Sequence, residues 1–305
     1  MKRAAGWRAH RLAVFDKGEF RAGAQILCRS LPGVPLTMLY VPRGPVVAPD
    51  DAEALGALAR ELRRFARQQH AIFCKVDPAW PAGTANALSG AGFQASQEPI
   101  QVTDSYTIDL RQSKEAILAG MRSKTRQYIR KAEREETEIL RDTTGAQLAA
   151  CYALYQETAR RAGFGLHSKS YYENLCRLYP AERQYLYIAV RHGTPLSFLW
   201  MVCAGRQAVE FYGGVADAGQ DFKSNYLLKW HAIQEMKDAG YEVYDLNGRV
   251  NEGIAQFKQG FGPAETSWIG PYDAVYHPLL YTGWSVGLPL ARRVMRRAEA
   301  GNAPG

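Results

Sequence analysis

Apolar and polar residues recur with two different periods along this chain, and these periods predict an α/β protein. Alternation with period two is typical of half-buried strands, whereas apolar residues at three- and four-residue spacing are typical of helices. In 51–69, for example, Leu55, Leu58 and Leu62 form one apolar face. The predicted strands are 24–28, 36–41, 71–76, 103–110, 184–191, 195–204, 207–213 and 241–246. The predicted helices are 51–69, 85–91, 113–136, 146–161, 170–179 and 225–240.

The order of these elements is similar in the two halves of the chain, which predicts two α/β domains built on one plan. A length of 305 residues lets each domain bury its own core. The seam is predicted near 99–103. We expect the first domain to comprise 1–100 plus a terminal helix within about 271–298, and the second domain to comprise 101–270.

Charge and cysteine content narrow the class of protein. The formal net charge is +8, which favours polyanionic partners such as nucleic acid, phosphorylated nucleotides or anionic lipid, or else reflects general surface basicity. The five cysteines are scattered, without a Cys-x-x-Cys pair, and we expect buried free thiols in a reducing compartment rather than a zinc site. No signal peptide and no membrane-length apolar run is present, so we expect a cytoplasmic protein.

The segment 278–298 is apolar first and basic afterwards. Such a segment can lie on an anionic membrane surface, which would place the protein peripherally at the inner face of the membrane. It is also typical of a terminal helix that packs on its own domain. The pattern leaves both interpretations open.

Two glycine-bearing loops follow the last predicted strand, and a lysine stands beside the second. The segment 244–248 reads Tyr-Asp-Leu-Asn-Gly, and 254–262 reads Ile-Ala-Gln-Phe-Lys-Gln-Gly-Phe-Gly. Glycines let a backbone approach a ligand closely, because they lack Cβ and accept positive φ. Lys258 is therefore either a cation beside an open backbone surface, suited to a phosphate, a carboxylate or a developing oxyanion, or a surface lysine on a turn.

The predicted helix 113–136 carries a ladder of arginines at four-residue spacing, namely Arg122, Arg126 and Arg130. Cations in such a row can follow a nucleic-acid backbone, since each phosphate contact releases a counterion. The alternative is a solvated charged face, and glutamates follow the ladder immediately. Alone, the ladder does not decide between a nucleic-acid-binding helix and an ordinary surface helix.

Several common nucleotide-binding motifs are absent from the sequence. No Gly-x-x-x-x-Gly-Lys-Ser/Thr loop occurs, and no Gly-x-Gly-x-x-Gly follows a strand, which argues against an NTPase and a dinucleotide enzyme. The element order is similar to that of a GNAT acetyltransferase domain, but the Arg/Gln-x-x-Gly-x-Gly/Ala turn that binds acyl-CoA is missing. We expect neither a metal ion nor a cofactor.

Six segments, taken together, resemble one family. They are Tyr-Val-Pro-Arg-Gly-Pro at 40–45, Met-Arg-Ser-Lys-Thr-Arg-Gln-Tyr-Ile-Arg-Lys-Ala at 121–132, Arg-Ala-Gly-Phe at 161–164, Asn-Tyr-Leu-Leu-Lys-Trp at 225–230, and the glycine-bearing segments 244–248 and 257–262. In order and spacing, from about 22 to 276, they resemble the FemABX family of non-ribosomal peptidyltransferases. The long coiled-coil arm of some members is not seen, so the chain is similar to the compact members.

The resemblance implies two tandem GNAT-like acyltransferase domains with mixed sheets and an inter-domain cleft. It implies an aminoacyl-tRNA as donor and a peptidoglycan precursor as acceptor, either lipid II or its UDP-linked form. The acceptor amine is on the third residue of the stem peptide, and the product is a cross-bridge or side-branch amide. An aminoacyl ester is already activated, so the enzyme needs positioning, oxyanion stabilisation and proton removal rather than a nucleophile.

The resemblance also implies roles for particular residues. The family's Phe-Lys pair falls on Phe257 and Lys258, with the lysine for the oxyanion or the tRNA terminal phosphate and the phenylalanine for stacking on the terminal adenine. A diphosphate and carboxylates call for arginine and tyrosine donors. The candidates for acceptor binding are Tyr212, Arg161, Tyr171, Arg29 and Arg43. The candidate proton acceptors are Asp104, Asp109 and Asp245, and a substrate phosphate or ribose hydroxyl is an alternative to all three.

Two other functions remain open from the sequence. The first is an acyl-CoA-dependent N-acyltransferase of GNAT fold, against which the missing pyrophosphate turn weighs. The second is a non-enzymatic accessory protein that binds tRNA or a membrane. The sequence does not reveal which amino acid is transferred.

Overall fold

The computed structural model describes residues 6–31, 33–96, 98–248 and 252–285. The chain divides into two compact units. The first unit is formed by the chain up to Thr103 together with the chain from Ser267, and the second unit is Asp104–Thr266. Each unit contains one seven-stranded sheet, and the prediction of an α/β fold with mixed sheets is confirmed.

The strands and helices are numbered here in chain order. The strands are β1 (Arg8–Asp16), β2 (Glu19–Ser30), β3 (Thr37–Pro42), β4 (Val46–Val47), β5 (Ala71–Asp77), β6 (Gln94–Ala95), β7 (Asp104–Asp109), β8 (Glu138–Asp142), β9 (Gln184–Arg191), β10 (Thr194–Ala204), β11 (Gln207–Val215), β12 (Val243–Asp245), β13 (Ala264–Ser267) and β14 (Tyr272–Val275). The helices are α1 (Ala52–Gln68), α2 (Ala85–Gly90), α3 (Lys114–Gly120), α4 (Ser123–Arg134), α5 (Leu148–Ala162), α6 (Lys169–Leu178), α7 (Asp217–Asp221), α8 (Ser224–Asp238) and α9 (Glu252–Gln259).

In the first unit, the sheet follows the order β1-β2-β3-β5-β14-β6, and β4 pairs with β2. Helix α1 begins where the side chain of Asp51 accepts a hydrogen bond from Ala54 N, and it buries its apolar face in the unit's core. Strand β14 comes from the far end of the chain and pairs antiparallel with β5. Across this pair, Lys75 and Asp273 form a buried ion pair at 3.0 Å. The two segments of the unit are thereby joined within one sheet.

The segment 278–285 is helical and packs on the first unit. The ring of Tyr281 lies edge-on to Phe73 at 5.3 Å, and its hydroxyl donates to Asp273 Oδ2 at 2.7 Å. Trp284 also lies beside Phe73. In 278–285, therefore, the segment packs on its own domain, which is one of the two interpretations that the sequence left open. The remainder of the predicted membrane-surface segment, 286–298, lies outside the described residues. Within the described ranges, no helix is both long enough and apolar enough to cross a bilayer.

In the second unit, the sheet follows the order β13-β7-β12-β11-β10-β9-β8. Strands β11 and β12 run parallel, and their pairing joins 207–209 to 243–245. Beyond this pairing β11 continues to Val215, whereas the chain after Asp245 turns away into a loop. The sheet therefore opens between these two strands, and the edge of β11 from Glu210 onwards faces the opening.

The predicted single helix 113–136 is wrong, because the structure has two helices, α3 and α4, with an extended break between them. The cause lies in a distant segment. Arg122 N, in the break, donates to the carbonyl oxygen of Gly260 at 2.9 Å. A Cβ on Gly262 would clash with the backbone of Gly120, so the glycine-rich turn packs directly against the break. This close approach requires Gly262, which has a φ of +68°.

Candidate active site

A cavity of about 320 Å³ lies in the second unit, at the opening between β11 and β12. Its wall includes β11 from Glu210 to Val215, the side chains of Leu228 and Lys229 on α8, and Phe257 and Lys258 on α9. Most of the lining is apolar or aromatic, with a few polar groups. Such a combination is typical of small-molecule sites, where apolar surface supplies burial and the polar groups fix orientation.

Lys258 is the candidate residue that the structure places most clearly in this cavity. It lies in the last turn of α9, not on a loop as the sequence suggested, and only 7% of its surface is exposed. Its Nζ donates to the carbonyl oxygens of Asn247 at 3.0 Å and Gly248 at 2.8 Å. The lysine thus stands beside the glycine-bearing loop that follows β12, where it uses backbone oxygens as acceptors.

Burial dominates the ionisation of Lys258. Desolvation lowers its pKa to about 8, because an ammonium is disfavoured away from water. The negative charge of Glu210 opposes this shift, the positive charge of Lys229 adds to it, and Asp245 opposes it weakly. Near neutral pH Lys258 is therefore mostly protonated, and it can donate to an oxyanion while standing close to its titration range.

A buried ion pair that the sequence reasoning did not identify lies in the same cavity wall. Lys229 on α8 donates to both carboxylate oxygens of Glu210 on β11, and the two side chains are almost fully buried. The hydroxyl of Tyr244 donates to Glu210 Oε1 at 2.7 Å. The sequence does contain one indication of this pair, namely a glutamate within an apolar strand and a lysine within an apolar helix. Such charged residues are rarely buried unless they are paired.

Phe257, the other half of the predicted Phe-Lys pair, is half-buried in the cavity wall. Its ring lies edge-on to Tyr226 at 4.9 Å and to Phe261 at 5.4 Å. The ammonium of Lys229 lies 5.1 Å from the ring centroid, within cation–π distance. Phe257 is thereby held in place on several sides, and one part of its ring surface faces the cavity.

Tyrosines and phenylalanines form the other end of the cavity. Tyr212 lies edge-on to Tyr172 at 5.1 Å and beside Tyr155 at 5.6 Å. Tyr171 is hydrogen-bonded to Tyr212, and burial raises the pKa of the Tyr212 phenol well above its usual value. Tyr212 and Tyr171, both predicted acceptor-binding residues, are thus brought together.

This chain is similar in sequence to known protein families and in fold to solved structures. A model of the FemAB family matches residues 1–88, and a model of the acetyltransferase (GNAT) domain matches residues 119–259. A protein named lipid II:glycine glycyltransferase from Staphylococcus aureus (strain MRSA252) is 24% identical to this chain, over 92% of this chain and 87% of its own length. The same name belongs to a relative from Staphylococcus haemolyticus (strain JCSC1435) at 22% identity. Together these matches support the resemblance to the FemABX family that the sequence motifs indicated.

Solved structures show that other proteins share the fold of this chain. A crystal structure of FemX superposes with a TM-score of 0.85 at 22% identity, and the match covers 92% of this chain and 91% of that chain. A tandem GNAT protein from the clavulanic acid biosynthesis pathway superposes with a TM-score of 0.55 at 15% identity, over 88% of this chain and 83% of that chain. Two GNAT-like units in tandem are therefore confirmed. The GNAT domain match and the glycyltransferase names of the relatives support an enzyme of the aminoacyltransferase class.

Arg161 lies near the cavity, but its guanidinium is already hydrogen-bonded within the protein. Its guanidinium donates to the carbonyl oxygen of Val215 at 2.8 Å and to Asp217 Oδ1 at 2.7 Å. Val215 itself lines the cavity, so Arg161 ties α5 to the end of β11. The side chain is about one-third exposed, and contact with a substrate stays a prediction for it.

The three candidate proton acceptors differ in their surroundings. Asp109 is half-buried and accepts hydrogen bonds from the side chain of Arg111, at 2.8 Å, and from its backbone N–H. These hydrogen bonds lower the pKa of Asp109 to about 2. Asp245 accepts hydrogen bonds from Ser105 Oγ and from Asn247 N, the latter at 2.7 Å. Asp104 is half-buried at the start of β7. None of the three carboxylates is part of the cavity lining, so the role of proton acceptor stays a prediction for each. Asp245 lies near enough for its charge to act on Lys258.

The three arginines of the ladder differ in burial and in hydrogen bonding. Arg126 is half-buried, and its guanidinium donates to the carbonyl oxygens of Ala119, at 3.1 Å, and Met121, so that it caps the end of α3. Arg122 is exposed and donates to Gln259 Oε1 at 3.3 Å. Arg130 is exposed on α4. Binding of tRNA stays a prediction for this helix, and Arg122 and Arg130 are its exposed members.

Arg29 and Arg43 belong to the first unit. Arg43 has a φ of +49°, lies over the ring of Trp268 at 4.3 Å and donates to Val102 O at 3.2 Å. Arg29 lies over the ring of Trp7 at 5.5 Å. Both guanidiniums are thus oriented by an indole. Their contact with an acceptor stays a prediction.

Metal binding has no evident place in the described structure. Among the residues for which positions are given, no three His, Cys, Asp or Glu side chains are grouped as metal ligands would be. All five cysteines are free thiols, four of them buried.

Proposed function

We propose that this enzyme transfers an amino acid from an aminoacyl-tRNA to the stem-peptide amine of a peptidoglycan precursor, and so forms a cross-bridge or side-branch amide. The relatives support the acceptor class, since by name they are glycyltransferases that act on lipid II. The observation that carries the proposal is the ammonium of Lys258, which is buried in a cavity wall and held by two backbone oxygens.

The reaction needs no nucleophile from the protein, because an aminoacyl ester is activated. The nitrogen of the acceptor amine attacks the ester carbonyl carbon, a C–N bond forms, and the C–O bond to the ribose breaks. The amine proton ends on the departing ribose oxygen. Holding the two reactants in line lowers the activation free energy by several kcal/mol, and by on the order of 7–11 kcal/mol in favourable cases.

Lys258 would donate a hydrogen bond to the oxygen that gains negative charge as the amine attacks. A fixed donor in a site from which water is excluded is worth far more than the same donor in water. The third N–H of its ammonium is available for this, because the described contacts use two acceptors. An alternative role for the same cation is to bind the terminal phosphate of the tRNA.

The aromatic residues suit the rest of the substrates. Phe257 would stack on the terminal adenine, as aromatic side chains do with unpaired bases. Tyr212 and Tyr171 would donate to carbonyl or carboxylate oxygens of the acceptor peptide. Arg29 and Arg43 in the first unit would bind its diphosphate or its carboxylates.

The direct test is incubation of the purified chain with mixed aminoacyl-tRNAs and with either lipid II or the UDP-linked precursor, with products identified by mass. We expect the acceptor mass to rise by one amino-acid residue, and RNase treatment of the tRNA pool, which removes the donor, to abolish the product. The amino acid found identifies the donor. If neither acceptor gains mass with any charged tRNA, the proposed function is wrong.

A second candidate is an acyl-CoA-dependent N-acyltransferase, which the GNAT domain match over 119–259 favours. The missing pyrophosphate-binding turn weighs against it. A thermal-shift titration with acetyl-CoA and longer acyl-CoAs separates the two, since a GNAT acetyltransferase would be stabilised at micromolar ligand. An unchanged melting temperature leaves the aminoacyl-tRNA reaction as the better account.

The lipid-linked acceptor would place the reaction at the inner surface of the membrane. Peripheral binding through 278–298 stays a prediction, supported by the positive net charge of the chain. Flotation with vesicles that contain or lack anionic lipid tests it, and equal recovery in both would contradict it.

A further inference from the structure

We propose that Glu210 and Lys229 are positioning residues for the transfer reaction, and that this ion pair holds Phe257 and Lys258 in place and keeps Lys258 charged. The inference rests on the proposed role of Lys258. Neither Glu210 nor Lys229 needs to touch the substrate for it to hold.

The pair is unusual because both charges are almost completely removed from water. Lys229 is 4% exposed and Glu210 is 7% exposed, and Lys229 donates to both oxygens of the carboxylate. Replacing a buried ion pair by apolar residues of similar volume is often neutral or stabilising, so such a pair is weak evidence for stability. Its place in the cavity wall, directly beside the candidate catalytic residues, points to a role in the site.

The contacts of Lys229 lead directly to α9 and the turn after it. Its ammonium lies 5.1 Å from the ring centroid of Phe257 and 5.6 Å from that of Phe261. These two rings stand on either side of Lys258 in the sequence. Glu210 is fixed in turn by the hydroxyl of Tyr244. The chain of contacts therefore runs from the core strand β12 through Glu210 and Lys229 to the rings that flank Lys258.

The charges around Lys258 give the pair its second role. Three charged side chains act on its ammonium: Glu210 from β11, Lys229 from α8 and Asp245 from β12. The direct hydrogen-bond partners of the ammonium are the uncharged carbonyl oxygens of Asn247 and Gly248. Glu210 has the larger effect of the paired residues and favours the charged form of Lys258, while burial and Lys229 favour the neutral form. Glu210 thus keeps a deeply buried lysine protonated near neutral pH.

The decisive variant is Glu210→Gln, which removes the carboxylate charge and keeps the shape. In this variant Lys229 can be either charged or neutral. In either state Lys258 loses the larger, favourable influence, so its pKa falls below the wild-type value of about 8. A fall of one unit lowers the protonated fraction above the pKa about tenfold. We expect transfer by Glu210→Gln to be impaired far more at pH 8.5 than at pH 6.5.

Two measurements are needed, and only one depends on turnover. The first is the pH profile of kcat/KM, whose alkaline limb should move to lower pH in Glu210→Gln. The second is an NMR titration of lysine amines carrying 13C-methyl groups, in which the Lys258 signal is assigned by its loss in Lys258→Arg. A wild type that transfers nothing overturns the proposed function; a Lys258 pKa that is the same in wild type and Glu210→Gln overturns this inference.

Tyr244→Phe is the matched control for a merely structural role. It removes a hydrogen bond from Glu210 but leaves both charges of the pair in place. If the pair acted only through stability, Tyr244→Phe and Glu210→Gln would have similar melting temperatures and similar pH profiles. We expect instead that both variants have a lower melting temperature, and that only Glu210→Gln has a displaced pH profile. Should Glu210→Gln fail to fold, the charge-balanced double variant Glu210→Gln with Lys229→Met takes its place. It should also lower the pKa of Lys258, and an unchanged value would overturn the inference.

Discussion

The ammonium of Lys258 donates to the backbone oxygen of Gly248 over 2.8 Å, and this contact ties the end of α9 to the loop after β12. The two partners lie ten residues apart, with Gly248 before α9 and Lys258 in its last turn, and the sequence did not predict this helix. Because the lysine is buried, its two hydrogen bonds to backbone oxygens replace water as its solvation. The same contact holds the ammonium in the cavity wall. Lys258 therefore both links α9 to this loop and supplies the proposed hydrogen-bond donor.

Replacing Lys258 by Met should abolish transfer while the fold is retained. Loss of one preorganised donor to an oxyanion typically lowers kcat by about 100- to 1000-fold, so we expect an effect of this order in a steady-state assay. Lys237→Met is a suitable control, because Lys237 also donates to a backbone oxygen, that of Leu110 at 2.9 Å, yet does not line the cavity. Comparable loss in both variants would mean that Lys258 acts through structure alone.

Titration of Lys258 should also appear in the stability of the protein. Its pKa is about 8 in the folded chain and 10.5 in the absence of burial, so between these values the unfolded chain holds a proton that the folded chain has released. Raising the pH through this window therefore stabilises the fold, and the contribution is lost as the pH falls through 8. Urea unfolding at pH 7.5 and 9.5 should show a gain on the order of 1 kcal/mol that Lys258→Met lacks.

The longer elements and the candidate Phe-Lys pair could be identified from the sequence, because their signals are local. Strand β9 was predicted with the observed bounds, and helix α8 within two residues, because apolar residues recur there over many positions. Phe257 and Lys258 stood out because they form part of a recognisable segment between glycines. The helix α9 that carries them was missed, since it is short and contains Gly253.

The remaining features depend on contacts between distant residues, which a local pattern does not contain. The break between α3 and α4 is caused by the turn at Gly260 and Gly262, more than a hundred residues later. Glu210 and Lys229 each lie in an apolar segment, and nothing near either residue indicates that they pair. Strand β14 is short and joins a sheet built mostly from the other end of the chain. These are tertiary effects, and they decide the shape of the site.

Substituting Gly262 by Ala should be strongly destabilising. A Cβ there would clash with the backbone oxygen of Gly120, and the φ of +68° is already unfavourable for alanine. Gly163→Ala is the matched control, since Gly163 has a φ of +71° but no atom within 4 Å of the added Cβ. We expect a loss of about 1 kcal/mol for Gly163→Ala and roughly 3 kcal/mol or more for Gly262→Ala in urea unfolding. Equal losses would show that the turn can move away from the break.

The arginines of α4 should separate into one that binds tRNA and one that holds the structure together. Arg130 is exposed, and a contact between its guanidinium and a phosphate would release a counterion. Arg130→Ala should therefore weaken tRNA binding for all sequences alike and lower the slope of log K against log salt by roughly one. Arg130→Lys keeps the charge and should keep most of the slope.

Arg126→Ala should behave in the opposite way. Its guanidinium caps the carbonyl oxygens at the end of α3, so its removal leaves those oxygens without their partner and should lower the melting temperature. The salt dependence of tRNA binding should stay close to that of wild type, because a guanidinium engaged with backbone oxygens is not free to meet a phosphate. A reduced salt slope in Arg126→Ala with an unchanged melting temperature would instead place Arg126 on the tRNA. The structural assignment of this side chain would then be wrong.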